Sequence, residues 1–166
     1  MLSSLNPYNL REVKRGYEFT TDSGVEYEVY YLKSNFFDHI PEITVPILEL
    51  QLAPIGEIPV GKSLLDSRIG DTVAKLVLDT VNGKNDVVIF ICDCKDSREE
   101  QRWKKFNRWF ARFDDGDVIK AEGMINAGSY IVYNGLFIHK EHSLRALVLS
   151  TFEELNNPEL WKSPIS

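Results

Sequence analysis

The spacing of apolar and polar positions changes several times along the chain, and each change marks an element. Val25, Tyr27, Val29 and Tyr31 alternate with Glu26, Glu28 and Tyr30. A period of two predicts a strand with one buried and one wetter face. Residues 17–21 precede it across Asp22-Ser23-Gly24, so the two runs are expected to form a hairpin. Residues 33–46, which include Pro41 and Pro46, read as a loop. Residues 47–52 read as a third strand, with Ile47 and Leu48 facing opposite ways. Ile69, Val73, Leu76, Val77 and Thr80 then repeat at helical spacing. They predict a helix capped by Asp66 or Ser67 and ending near Asn82, with Gly83 as its C′ residue.

Residues 87–92 are an unbroken apolar run rich in β-branched side chains, the pattern of a strand covered on both faces. Ser97 and Glu100 form a capping box that opens a second helix, expected over 97–113. Residues 118–126, 129–133 and 136–139 read as strands. The last two are separated by Asn134-Gly135, a strong type I′ turn signal. Ser143 is the expected cap of a final helix running to about Asn156, with Pro158 stopping it. The predicted order is β-β-β-α-β-α-β-β-β-α, an α+β domain with a mostly antiparallel sheet and three helices on one face. One domain spanning 1–166 is expected, with 1–15 and 159–166 peripheral.

Composition narrows the function classes. The chain carries 19 basic and 25 acidic residues, a net charge of −6, which works against nucleic acid or an anionic membrane as partners of the whole surface. Residues 1–10 have neither a basic nor an apolar signal region, and no apolar run approaches membrane-spanning length, so a cytoplasmic protein is expected. Cys92 and Cys94, one residue apart, are badly placed for a disulfide and read as free thiols. Of the three histidines, His39, His139 and His142, the last two flank a strand end and read as surface residues, and no metal or cofactor is expected.

One motif invites a catalytic reading. Residues 56–63 match G-x-x-x-x-G-K-S, in which Gly61 would help cradle phosphate, Lys62 neutralise it and Ser63 hold Mg²⁺. Asp93, at the end of the apolar strand, would be the matching carboxylate, and Asp96 follows it. Three features oppose this. Asp66-Ser67 caps the helix later than a P-loop would. Pro59 removes a backbone N–H from the loop. The hairpins that follow do not build a parallel sheet. An enzyme is therefore the less favoured reading, kept as a nucleotide-dependent alternative using Gly61, Lys62, Ser63 and Asp93.

The helix after residue 97 is more informative. On a helical wheel Trp103, Phe106, Phe110 and Phe113 share one stripe, expected to face the core. The opposite arc holds Arg98, Arg102, Lys104, Lys105, Arg108 and Arg112, with Trp109 among them. From 98 to 112 there are six positive and two negative side chains in a chain that is net negative. Arg98, Arg102, Lys105, Trp109 and Arg112 are thus the candidate binding surface, suited to a protein partner, a second copy of the chain or another anionic partner. Nucleic acid is a third, less favoured occupant.

The run Val87-Val88-Ile89-Phe90-Ile91-Cys92-Asp93, followed by Asp96, Arg102, Phe106, Trp109 and Phe110, resembles an uncharacterised family of small bacterial proteins, a domain of unknown function. Tyr17-Glu18-Phe19, Asp22-Ser23-Gly24, Tyr27, Asp66-Ser67-Arg68-Ile69 and Asp71-Thr72 are also similar to it. The resemblance spans 17–155, with its specific part at 87–110. It implies no activity and no catalytic residue, and the family pattern does not include Gly61-Lys62-Ser63.

Overall fold

The structure, a computed structural model, describes residues 5–57, 66–92, 98–111 and 116–156. Its elements are β1 (Arg11–Val13), β2 (Gly16–Thr20), β3 (Glu26–Lys33), β4 (Ile47–Pro54), α1 (Ser67–Val81), β5 (Val87–Ile91), α2 (Glu99–Ala111), β6 (Val118–Asn126), β7 (Ile131–His139) and α3 (Arg145–Leu155). The seven strands form one sheet in the order β1-β2-β3-β4-β5-β7-β6. Neighbours pair antiparallel except β4 and β5, which run parallel with α1 as the crossover between them. The α+β class, the antiparallel majority and the three helices agree with the pattern of the chain.

Alternation along each strand sorts the core into two layers. Val88 and Phe90 of β5, with Val29, Leu50 and Phe137, face α1 and α2. Val87 and Ile89, with Ile47, Leu136 and Ile138, face α3 and Phe37. β5 is therefore covered on both sides, as its continuous apolar run requires. The helices do not share one face: α1 and α2 lie on one side and α3 on the other. The reason lies in the 34–46 loop, whose Phe36 and Phe37 pack with Phe152 of α3. Together they cover the second sheet face that two helices alone would leave wet.

Asn134-Gly135 is not a turn. Both residues lie inside β7, opposite Ile91 and Phe90 of β5. Gly135 is needed because a Cβ there would collide with the Phe90 ring. The buried Asn134 side chain donates to Asn156 Oδ1 at 2.9 Å and to Val132 O at 3.2 Å. The Asn134 backbone carbonyl accepts Trp103 Nε1–H at 2.9 Å. Packing thus overrides a strong local turn preference. The real β6–β7 turn is at 127–130, where Ala127 N donates to Tyr130 O at 2.9 Å and Gly128 takes φ +92°.

The lead-in is anchored rather than peripheral. Residues 11–13 pair as β1, and Tyr8 is a core residue stacked on Phe19. Tyr8 N donates to Thr72 Oγ1 at 2.8 Å, and the Tyr8 hydroxyl donates to Asp66. The Arg68 guanidinium lies 3.9 Å over the Tyr8 ring and donates to the Asn6 and Pro7 carbonyls. A chain of polar residues around the start of α1 thereby ties down residues 6–8, a long-range constraint that local patterning does not reveal. Residues 159–166 lie outside the described residues.

Local ends differ in detail. Asp66 caps α1, accepting from Arg68 N at 2.8 Å. Past its other end Lys84, not Gly83, takes the positive φ, 67°. No side chain caps α3, whose N-cap is Leu144 and not Ser143. Instead His142 Nδ1 accepts from Leu144 N at 3.0 Å. His139 and His142 are both buried, contrary to their surface reading. Each ring's Nδ1 accepts a backbone N–H, from Glu141 and Leu144 respectively, so these histidines organise the β7–α3 corner.

The fit of Gly135 against Phe90 predicts that Gly135→Ala costs about 1–3 kcal/mol through overpacking. Chemical denaturation should show Phe90→Leu in the same chain recovering part of that loss. A neutral Gly135→Ala would contradict the packed-strand assignment.

Candidate functional site

A cleft of about 640 Å³ opens where β4, the end of β5 and the start of α1 meet α2. Leu50, Leu52 and Pro54 of β4, Phe90 and Cys92 beside β5, and Ile69 of α1 supply an apolar lining. From the α2 side come Arg98, Gln101, Arg102, Lys105, Phe106 and Trp109. Arg98, Arg102 and Lys105 fall at i, i+4 and i+7, so they share one helix face. Three cations and an apolar wall therefore line the same concave space. All three cations also interact with other groups of the chain.

The cleft brings together four of the five residues proposed for the binding surface, but changes the role of one. Trp109 is 8% exposed, and so is a core residue rather than a protruding docking ring. Its indole packs edge-on to Phe106 at 5.1 Å. It also fits the space left by Gly70 of α1, where a Cβ would lie 2.5 Å from the ring. The helical wheel placed Trp109 in the polar arc because it assumes one core stripe. Here α2 is buried on a second side by α1, and the wheel carries no information about α1. The glycine inside an otherwise apolar α1 face was the signal available in the sequence. Arg112 lies outside the described residues.

Charge in the cleft is shaped by burial. The Lys105 ammonium sits 5.1 Å from the Trp109 ring centroid. Burial lowers its pKa, nearby Arg108 lowers it further, and Asp66 opposes the shift. Lys104, by contrast, faces outward and pairs with Glu100 at 2.7 Å. Burial pushes the Cys92 thiol up to about 12; Arg102 pulls it down and Glu99 pushes it up. One buried Glu99 carboxylate oxygen has no hydrogen-bond partner among the described residues. Cys92 is thus a protonated wall residue, not a poised nucleophile. Among the described residues no group of three or more His, Cys, Asp and Glu side chains could hold a metal ion.

The Gly-Lys-Ser alternative is not assembled by anything described. Gly61, Lys62, Ser63, Asp93 and Asp96 lie outside the described residues, as does Cys94. The parallel β4–α1–β5 unit does supply the crossover that a phosphate loop needs. However, α1 begins at Ser67, capped by the Asp66 carboxylate, which also accepts the Tyr8 hydroxyl. In a P-loop the Lys-Ser pair itself opens the helix, and its free N–H groups face phosphate. A half-buried carboxylate already occupying that end does the opposite.

No helix among the described residues is long and apolar enough to cross a membrane. A family model for a family of unknown function, DUF6169, matches residues 65–154. That span holds α1, β5, α2, β6 and β7, and nearly all of α3, so it includes the α1 and α2 walls of the cleft. A comparison with curated proteins finds no match.

The raised Cys92 value makes two outcomes measurable. In a Cys94→Ser chain, iodoacetamide should alkylate Cys92 at pH 8 at least roughly 100-fold more slowly than in the urea-unfolded chain. Folding should also lose stability as pH rises above the ordinary thiol value of 9.0, because the unfolded chain releases a proton that the folded one retains. Equal alkylation rates would show that Cys92 is not held as described.

Proposed function

The chain belongs to the family of unknown function DUF6169, and from that premise we propose that it is a binding module whose α2 cleft takes a small anionic ligand with an apolar body. The observation that carries this reading is the presence of Arg98, Arg102 and Lys105 beside apolar β4 and β5 side chains in one cleft. An anion alone would be served as well by an exposed lysine cluster. An apolar molecule alone would gain nothing from these cations, two of which, Arg102 and Lys105, are kept partly out of water, where their interaction with an opposite charge is less screened. The combination suits a carboxylate, sulfonate or phosphate ester attached to an aliphatic or aromatic group. The buried indole disfavours nucleic acid, because Trp109 offers no exposed ring on which a base could stack.

This reading replaces a protruding basic and aromatic surface with a concave one, and no step of catalysis is assigned to it. Arg102 and Lys105 are half-buried on the wall, and Arg98 is at the exposed start of the helix. A ligand would thus meet Arg98 at the mouth and Lys105 closer to Trp109.

Two dyes that share an apolar body separate the ingredients: 8-anilinonaphthalene-1-sulfonate, which is anionic, and N-phenyl-1-naphthylamine, which is neutral. Fluorescence titration should show the sulfonate bound at least ten-fold more tightly, with an affinity that falls as salt rises. Arg98→Ala with Arg102→Ala should weaken the sulfonate by roughly ten-fold, the scale of one or two charge-assisted contacts, and leave the neutral dye unchanged. Lys104→Ala should affect neither. Equal binding of the two dyes, or no effect of the arginine changes, would remove the proposal.

A further inference from the structure

The two edges of the sheet are built differently. β1 is three residues long and carries exposed Arg11 and Glu12, the usual way of blunting an edge. β6, at the other edge, is nine residues long with no proline. Its residues 118–126 pair along their full length with β7 on one side. Met124 on this strand is 50% exposed. A long edge strand of this kind is a template for another strand.

We propose that β6 pairs antiparallel with β6 of a second copy of this chain about a two-fold axis at Ala121, extending the sheet across a dimer. The charge pattern of the strand selects both the partner and the register. Lys120, Glu122 and Met124 lie on the α2 side of the sheet, since residues two apart share a face. With Ala121 opposite itself, Lys120 of each copy lies opposite Glu122 of the other. Moving the axis to Lys120 sets lysine against lysine, and moving it to Glu122 sets glutamate against glutamate. Like charges directly opposite are destabilising, and opposite charges stabilise a cross-strand pair. An isologous interface needs a surface complementary to itself, and Lys120-Ala121-Glu122 is the shortest charged sequence that meets this condition.

The side chains are placed for it. Glu122 is 46% exposed at its side chain, and Lys120 Nζ, 3.1 Å from Glu122 Oε1 within the chain, also donates to Asn107 O at 3.3 Å. Lys120 is thereby held on the α2 side of the strand, the face it shares with Glu122. On the opposite face Gly123 lies under the Asn156 side chain, where a Cβ would collide with it. That side of the edge is thus kept low beside α3.

Size-exclusion chromatography with light scattering, over a concentration series, tests this. The wild-type chain should form a concentration-dependent dimer. Glu122→Lys should weaken it roughly ten-fold or more, because two attractive pairs become repulsive. Lys120→Glu should do the same, and an equimolar mixture of the two variants should restore a dimer of one copy of each. Circular dichroism checks that each variant is folded. Because Glu122 is the more exposed of the two, Glu122→Lys decides the matter on its own if Lys120→Glu does not fold. A wild-type chain that stays monomeric at every concentration, or a Glu122→Lys dimer as tight as wild type, overturns the proposal.

Discussion

The indole of Trp109, set into the space above Gly70, is the contact on which the rest of this site depends. Two helices that follow different strands must be held at one distance for a cleft to exist between them and the sheet. Gly70 lets the α1 backbone approach a ring that any larger residue would push away by ångströms. Phe106 closes against the same ring, and Phe110 packs on Phe137 with ring centroids 4.3 Å apart. α2 is thereby fixed in rotation as well as in distance. Its Arg98, Arg102 and Lys105 are turned toward β4, and its Lys104 is turned toward solvent.

That arrangement has support on both sides. Beneath α2, Trp103 donates to the Asn134 carbonyl, and Asn134 in turn reaches the C-cap of α3 through Asn156. One line of polar contacts therefore passes through the sheet and joins helices on opposite faces. At the other end, Tyr8, Asp66 and Arg68 secure the start of α1, the same turn that positions Ile69 and Gly70. Tyr8 and Asn134, the buried members of these networks, are costly to leave without their partners, which favours this one arrangement of elements.

Where sequence and structure agree, local periodicity was enough. The alternation at 25–31, the apolar run at 87–92 and the helical repeat at 69–80 each determine an element through their own burial pattern. The larger disagreements, at Asn134-Gly135 and Trp109, are cases of tertiary contact. Asn134-Gly135 has a turn composition but serves Phe90 and Asn156, residues distant in sequence. His139 and His142 look like solvated side chains, yet each accepts a backbone N–H from the turn it buries. Trp109 sits among arginines on a wheel, and only the position of α1 shows that this side of α2 is covered too. The candidate site was legible as a list of cations on one helix. Its concave shape was not, because the opposite wall comes from β4, some fifty residues away in the chain.

Trp109 is a packed clamp between α1 and α2 and not a surface ring. Acrylamide quenching of a chain in which Trp103 and Trp161 are replaced by phenylalanine tests it most directly. Weak quenching is expected in the folded protein, typical of an indole shielded from solvent, rising sharply when Gly70 is changed to valine. Quenching of the folded single-tryptophan chain at the level of its urea-unfolded form would contradict it.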